Sequence, residues 1–263
     1  MLLFEIFTYF IYLALGLIIG SFLNVVIYRM PREISVVKPP SSCPKCGHAI
    51  KAYENIPVFS YIFQGGKCRG CKEKISIRYP IVEMICGLLW IIPLALGLSY
   101  AEASLAALFS SALLAVFFID FEHMIIPDRI VLFIMLLSIP AFFIETNILW
   151  YERLIGFAAG GGLLLLIAIL AEKILKKEGM GGGDIKLMAA GGLILGWQNI
   201  LLSLFVGAAV AMVVIIIMTP LKKKFPKGEQ IPFGPALSIG MLICYYFGAD
   251  MISWYLQIIG VGS

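Results

Sequence analysis

The sequence predicts an all-α protein that crosses a membrane about eight times and carries one small polar domain between the first two spans. Three observations lead to this prediction. Of 263 residues, 61% are hydrophobic and only 14% are charged, which leaves too little polar surface for a water-soluble protein of this size. Apolar runs long enough to cross about 30 Å of hydrocarbon, which takes roughly 20 residues of helix, recur along the whole chain. One extended polar stretch, residues 29–80, interrupts them.

The apolar runs and the polar stretch predict a division into a first membrane helix (1–28), a cytoplasmic domain (29–80) and a membrane-embedded domain (81–263). The first span has no small-residue cleavage site and is followed by Arg29 and Arg32, so it is expected to remain in the protein instead of being removed as a signal peptide. The predicted spans cover residues 4–28, 81–98, 104–119, 130–144, 154–171, 185–195, 200–219 and 235–256.

The basic residues predict how the chain is oriented. Segments 29–78, 121–129, 173–186 and 221–231 hold 19 of the 20 Lys and Arg residues, and only Arg153 falls on the other side. Cytoplasmic connections collect Lys and Arg, so both chain ends are expected outside the cytoplasm and the polar domain inside it. The net charge of +4 gives no reason to expect nucleic acid as a partner, because the basic loops lie beside anionic membrane lipid.

Two cysteine pairs in the polar domain predict a metal site. Cys43 and Cys46, like Cys68 and Cys71, stand at the two-residue spacing that lets both thiolates of a pair reach one tetrahedral zinc ion. Disulfides or redox pairs are the alternative, but stable disulfides are rare in the reducing cytoplasm. Four sulfurs close the coordination shell, so the zinc is expected to be structural and to supply folding free energy to a domain with a small core. The other two cysteines, Cys86 and Cys244, lie in apolar runs and are expected to be buried hydrophobic residues.

Two aspartates stand at predicted membrane boundaries on the cytoplasmic side. Asp120 ends the apolar run 104–119, and Asp184 follows a glycine run and precedes Ile185. An ionisable side chain in a membrane span costs roughly 2.5 to 3.5 kcal/mol on insertion scales, so a functional role is the default expectation. Two close carboxylates can share one proton, which suits peptide hydrolysis by one ionised and one protonated acid. The alternative for Asp184 is that it only caps a helix.

Other polar residues near these motifs have ordinary explanations. Asp128 is expected to be the N-cap of the span 130–144, and the histidines are expected to face solvent, although His123 could tune Asp120. Glu122 and Glu83 are expected to be solvated at the membrane interface and to have supporting roles at most.

In this order and placement, the motifs resemble those of the bifunctional type IV prepilin peptidases, the leader peptidase and N-methyltransferase family, over nearly the whole chain. The residues that carry the resemblance are Gly20 through Pro31, the two cysteine pairs, Arg78-Tyr79-Pro80 with Glu83, Ile119-Asp120, Ile126-Pro127-Asp128, Gly179 through Lys186, and Pro232 through Pro235.

The resemblance implies that Asp120 and Asp184 form the catalytic dyad of a GxGD-type aspartyl protease at the cytoplasmic face of the bacterial inner membrane. It implies a pilin or pseudopilin precursor as substrate, cut after a glycine that ends a short basic leader. It also implies N-methylation of the new amino terminus with S-adenosylmethionine as donor, and it points to Gly66 and Lys67 for that second activity. The residues themselves contain no glycine fingerprint for a nucleotide-like cofactor, so methyl transfer is implied by resemblance alone.

Two other classes of function remain open at this stage. A proton-coupled transporter would use the same acids as a proton relay. Such a relay requires ionisable groups near the bilayer midplane, whereas both acids are predicted at one membrane face. A membrane scaffold built on a zinc knuckle would recruit assembly partners without chemistry of its own.

Overall fold

The computed structural model of the chain describes residues 2–175, 181–221 and 232–260. Gly179 and Met180 of the glycine run, and the basic segment 222–231, lie outside them. The described residues form helices and turns, with two isolated β-bridges and no longer strand. The helices are α1 (Leu2–Arg29), α2 (Phe59–Phe63), α3 (Arg78–Ala95), α4 (Tyr100–His123), α5 (Asp128–Ile144), α6 (Trp150–Leu175), α7 (Gly182–Leu221) and α8 (Gly234–Ile258).

The all-helical membrane class is confirmed, with six described helices long and apolar enough to cross a bilayer. Two differences separate this number from the predicted eight. Helix α5 has only 17 residues. The predicted spans 185–195 and 200–219 both fall within α7, which is interrupted at Gly196 (φ 74°, ψ 173°). Glycine tolerates this backbone conformation because it has no Cβ, so the chain changes direction there without a loop.

The chain forms two compact units, Met1–Ala115 and Val116–Ser263. In the first unit α1 packs against α3 through glycines. A Cβ added to Gly20 would lie 2.7 Å from the Cα of Glu83, and one added to Gly16 would lie 2.8 Å from the Cα of Gly87. Small residues therefore allow the two backbones to approach closely, as in other membrane helix pairs.

In the second unit α6, α7 and α8 pack together, and α5 packs against α7. Glycines give α6 a small-residue face toward α7, because Gly156 and Gly160 contact the backbone of α7. A Cβ added to Gly192 of α7 would in turn overlap the carbonyl of Gly156.

Arg153 joins the ends of two helices in the second unit. Its side chain is almost fully buried, and its guanidinium donates to the carbonyls of Leu193 and Ile194, at 3.0 and 3.3 Å, just before the interruption at Gly196. It also donates to the carbonyls of Ala141 and Glu145, both at 3.0 Å, where α5 ends. Carbonyls at helix ends lack intrahelical donors, so this one side chain caps both ends. The sequence marked Arg153 only as an exception to the charge asymmetry.

Replacing Arg153 by methionine is expected to destabilise the protein by about 3 kcal/mol or more, because it leaves several buried carbonyls without their donor and removes the cation beside the Glu145 carboxylate, which keeps the hydroxyl of Tyr245 as a donor. Thermal unfolding of the purified protein in detergent measures the change. Arg129→Met removes an exposed arginine from α5 and is the matched control. Equal midpoints for the two variants would show that Arg153 has no such capping role.

Candidate active site and metal centre

The two boundary aspartates lie in the second unit, at the ends of different helices. Asp120 is in the last turn of α4 and is buried, with 6% of its surface exposed. Asp184 is in the first turn of α7 and is half-buried. The carboxylates are close enough for each other's charge to matter, since Asp120 contributes to the electrostatic environment of Asp184. The fold thus brings together two acids that are 64 positions apart in the chain.

A third helix end holds Asp120 in place. Helix α8 begins at Gly234, whose backbone N–H donates to Oδ2 of Asp120 at 2.9 Å. The first N–H groups of a helix have no intrahelical acceptor, so this one is free to orient the carboxylate. The motif Pro232 through Pro235 gives no sign in the sequence that it contacts Asp120. The proline at the start of α8 was the available signal, since proline favours the first turn of a helix.

Replacing Gly234 by alanine is expected to lower proteolysis by roughly a hundredfold, because a displacement of about 1 Å at a reacting group costs that much. The new Cβ would lie 2.7 Å from Oδ2 of Asp120, closer than real Cβ contacts allow, so the carboxylate must move. Initial rates on a synthetic precursor measure the effect. Gly162→Ala is the control, since a Cβ there meets nothing within 4 Å. Unchanged rates for Gly234→Ala would mean that the contact does not position Asp120.

The glycines before Asp184 also serve packing. The N–H of Asp184 donates to the carbonyl of Gly181 at 3.1 Å, which forms a turn directly before the helix. A Cβ added to Gly183 would lie 2.9 Å from the Cβ of Ile126, so this glycine allows the segment after α4 to approach the start of α7.

Several neighbouring expectations need correction. Asp128 is the first residue of α5 and makes no side-chain cap; Pro127 holds the N-cap position, and Asp128 instead binds Lys186 at 2.8 Å. Glu83 is buried, with 7% of its surface exposed, and is not solvated at the interface. The tight approach of α1 to α3 covers it, which residue spacing alone does not reveal.

The four cysteines of the polar domain converge. Their Sγ atoms all lie within 4.8 Å of one another, with Cys43 to Cys71 at 3.9 Å and Cys46 to Cys68 at 4.0 Å. Four thiolates around a zinc ion at about 2.3 Å stand roughly 3.8 Å apart, so the cluster has the size of a tetrahedral metal site. None of the four forms a disulfide.

The electrostatics of the cluster differ between its members. The backbone N–H groups of Cys46 and Lys45 lower the pKa of Cys43 to about 6, which favours the thiolate that a metal requires. At Cys71 the backbone N–H of Glu73 also acts to lower the pKa of the thiol. Burial and the other three thiols outweigh it and raise the pKa of Cys71 to about 11. Four thiols this close cannot all ionise without a cation among them, so the donor set fits a metal ion.

His48 does not join the cluster and does not simply face solvent. Its Nε2 lies 3.0 Å from Oε2 of Glu54, which also accepts the backbone N–H of Lys51 at 3.1 Å. These contacts, with the Lys51 N–H contributing most, hold the pKa of Glu54 below its usual value. The carbonyl of His48 also accepts the N–H of Cys43 at 2.9 Å, which connects this residue to the first cysteine turn, residues 43–46. His123 lies 4.0 Å from Glu122 and is partly exposed.

Similarity to known proteins is consistent across the chain. Residues 14–96 match the model of the bacterial peptidase A24 N-terminal domain, and residues 107–217 match that of the type IV leader peptidase family. The protein named prepilin leader peptidase/N-methyltransferase in Pseudomonas aeruginosa is 35% identical to this chain. The alignment covers 94% of this chain and 93% of that relative. Relatives of the same name in Aeromonas hydrophila and Bacillus subtilis are 37% and 34% identical, and each aligns with 92% of the chain. No solved structure matches.

The chain belongs to the type IV leader peptidase family. It is therefore a multi-pass membrane enzyme, a protease that also carries methyltransferase activity. The two matched segments divide the candidate residues of this leader peptidase. The cysteine cluster lies in the N-terminal match, whereas Asp120 and Asp184 lie in the second.

The two residues that the resemblance links to methyl transfer, Gly66 and Lys67, directly precede the second cysteine turn, residues 68–71. Gly66 has φ +65°, and its carbonyl accepts the N–H of Ile75 at 2.7 Å. Lys67 lines an open cleft of about 470 Å³ together with Phe63, Gln64, Arg69 and Lys72. Gly66 is thus required by the turn itself, and its role in methyl transfer stays a prediction.

Proposed function

We propose that this leader peptidase cleaves pilin or pseudopilin precursors after the glycine that ends their basic leader, with Asp120 and Asp184 as the catalytic acids. The observation that carries the proposal is the meeting of three helix ends at these acids. The end of α4 supplies Asp120, the start of α7 supplies Asp184, and the start of α8 donates an N–H to Asp120.

The mechanism follows from two acids sharing one proton. The ionised carboxylate takes a proton from a water molecule, and the protonated one donates to the oxygen of the scissile carbonyl. The hydroxyl adds to the carbonyl carbon to give a gem-diol. The first acid then passes its proton to the leaving amine as the carbon–nitrogen bond breaks, and the second acid recovers its proton from a diol hydroxyl. Asp120, held by Gly234, is fixed in orientation, whereas the half-exposed Asp184 is open to water and substrate.

The site is proposed to face the cytoplasm from the bacterial inner membrane. The support is the distribution of Lys and Arg, of which 19 of 20 lie in segments on one side of the predicted spans. The domains are proposed at 1–28, 29–80 and 81–263, with membrane lipid around the first and third.

The metal of the cysteine cluster is proposed to be zinc in a structural role. Four sulfur ligands at tetrahedral spacing leave no open coordination position for a catalytic water. Zinc would hold the turns 43–46 and 68–71 together, and the peptidase step is not routed through it.

Methyl transfer is proposed to use S-adenosylmethionine, which supplies an electrophilic methyl group when bound. The family resemblance assigns Gly66 and Lys67 to this reaction. The cationic Lys67, with Arg69 and Lys72 lining the same cleft, suits the carboxylate end of such a donor.

The test is incubation of the purified protein in detergent with a synthetic precursor, followed by mass spectrometry of the products. We expect one cut after the leader glycine without added partners, and a mass increase of one methyl group on the mature chain when the donor is present. An intact precursor after prolonged incubation would contradict the proposal and favour the transporter or scaffold alternatives.

A further inference from the structure

The first unit contains a buried polar group that peptide hydrolysis does not use. Glu83 of α3 is buried in a predicted membrane helix, and its carboxylate accepts the backbone N–H of Val58 at 2.7 Å. The hydroxyl of Ser21 on α1 is also hydrogen-bonded to it. An ionisable side chain inside a membrane span is costly to bury, and such residues commonly mark functional sites.

Two further features accompany Glu83. Val58 has φ +63° and ψ −52°, a region that β-branched residues rarely adopt, and strain of this kind clusters at functional sites. One turn beyond Ser21, the side chain of Asn24 is 2% exposed and donates to the carbonyl of Tyr79 at 3.0 Å. Its Oδ1 is buried and accepts no hydrogen bond from any described residue. The cluster therefore combines a buried carboxylate with one buried acceptor, Oδ1 of Asn24, that has no donor among the described residues.

An open cleft of about 370 Å³ adjoins this cluster, within the size range of ligand sites. Ser21 connects the two, since its side chain lines the cleft and contacts Glu83. Pro57, the neighbour of Val58, also lines it, and Arg29 is the one charged residue in the lining. One N–H of Arg29 donates to the carbonyl of Ser35 at 3.0 Å. The remaining walls are mostly apolar and include Ile18, Phe22 and Val25, with Asn55 as a neutral polar residue.

We propose that Ser21 and Glu83 accept the proton of the new α-amino group during methyl transfer, and that this cleft receives the N-terminal residue of the cleaved chain. The inference rests on the methyltransferase part of the proposed function. An α-ammonium has three N–H donors and a positive charge, which match the acceptors of the cluster, and an apolar first side chain matches the cleft walls. The cleft lined by Lys67, Arg69 and Lys72 carries three cations and no carboxylate, so it repels an ammonium more strongly than the first cleft, where Glu83 beside Ser21 offsets the single charge of Arg29.

The Ser21 oxygen accepts one proton of the ammonium while its own hydroxyl proton passes to the Glu83 carboxylate. The neutral amine then forms a bond from its lone pair to the methyl carbon of a sulfonium donor. The methyl–sulfur bond breaks, its electron pair stays on sulfur as a neutral thioether, and the product is a secondary ammonium. Glu83 returns its proton to solvent when the product leaves. Ser21 is the catalytic residue in this scheme, and Glu83 acts through it.

The experiment compares Glu83→Gln and Ser21→Ala with the unaltered full-length enzyme in detergent. Methylation at pH 7 is expected to fall by about a hundredfold in each, the effect of removing a general base, while leader cleavage changes by less than about threefold. Raising the pH to 9 should largely restore methylation by Glu83→Gln, since an amino terminus loses its proton to solvent near pH 8. Glu5→Gln, an exposed carboxyl in the first turn of α1, is the matched control and should keep both activities.

A binding measurement without methyl donor separates this role from a structural one. Calorimetry compares a short peptide that begins with phenylalanine and has a free amino terminus with its acetylated form. The unaltered enzyme should bind the free amine roughly tenfold more tightly, the effect of a hydrogen bond to a charged group, and both variants should lose the preference.

Three results would overturn the assignment of Ser21 and Glu83: full methylation by both variants at pH 7, methylation by Glu83→Gln that stays low at pH 9, or an unchanged preference for the free amine. Because the two variants alter different helices, a failure of one to fold leaves the other to decide. Failure of the proposed function looks different, since the unaltered enzyme would then transfer no methyl group at all.

Discussion

Replacing either Asp120 or Asp184 by asparagine is expected to lower leader cleavage by roughly a thousandfold or more, because an amide can neither hold nor transfer the proton that the two acids share. Asparagine has nearly the same shape as aspartate and can still accept the N–H of Gly234, so position 120 keeps its contact with α8. The double variant should be little worse than either single variant, since two groups that act as one unit are not additive.

The measurement is the initial rate of precursor cleavage by each purified variant, together with its yield in the membrane fraction. Asp128→Asn is the matched control, because this exposed aspartate lies between α4 and α7 in the chain but binds only Lys186 among the described residues. It should cleave normally. Substantial cleavage by either Asp120→Asn or Asp184→Asn would remove the two-acid mechanism.

The unaltered enzyme is also expected to show a bell-shaped dependence of the cleavage rate on pH. Cleavage needs one acid ionised and the other protonated, so both fully protonated and fully ionised forms are inactive. In each single asparagine variant, the residual cleavage rate should depend on the ionisation of only one acid, because the other acid has been replaced by an amide. A rate that rises steadily with pH across the whole range would instead indicate a single general base.

The side chains of the candidate site can be predicted from the sequence, but the contacts that hold them in place cannot. Asp120, Asp184 and the four cysteines stand out because charge in an apolar run and paired thiols have few ordinary explanations. The contact from Gly234 to Asp120 joins residues 114 positions apart through a backbone N–H, which has no sequence signature of its own. Arg153 has the same limitation, because its acceptors are carbonyls at the ends of two helices.

Burial was the harder quantity to predict. Glu83 was placed at a solvated interface because it lies near the start of an apolar run, yet glycines on α1 allow its backbone to come close enough to cover it. The interruption of α7 was also hidden. A glycine between two apolar runs is compatible with a loop or with a direct change of direction, and only the φ of Gly196 distinguishes them.

Removal of the metal is expected to unfold the cysteine turns before it affects the aspartates. Binding of a structural zinc supplies on the order of 10 kcal/mol, far more than the small apolar core of residues 29–80 can replace. The four cluster thiols should become reactive toward a thiol reagent after chelation. Cys86 and Cys244 are fully buried in helices and should stay unreactive.

The order of events distinguishes a structural from a catalytic metal. The peptidase acids lie in the other compact unit, so cleavage of a short synthetic precursor should decline only as the cysteine turns unfold. Metal analysis should find one zinc per chain in the unaltered protein and in Cys244→Ser, and much less in Cys46→Ser. Immediate loss of turnover while the four thiols remain protected would mean that the metal takes part in the chemistry, because a purely structural ion acts on activity only through the fold it holds.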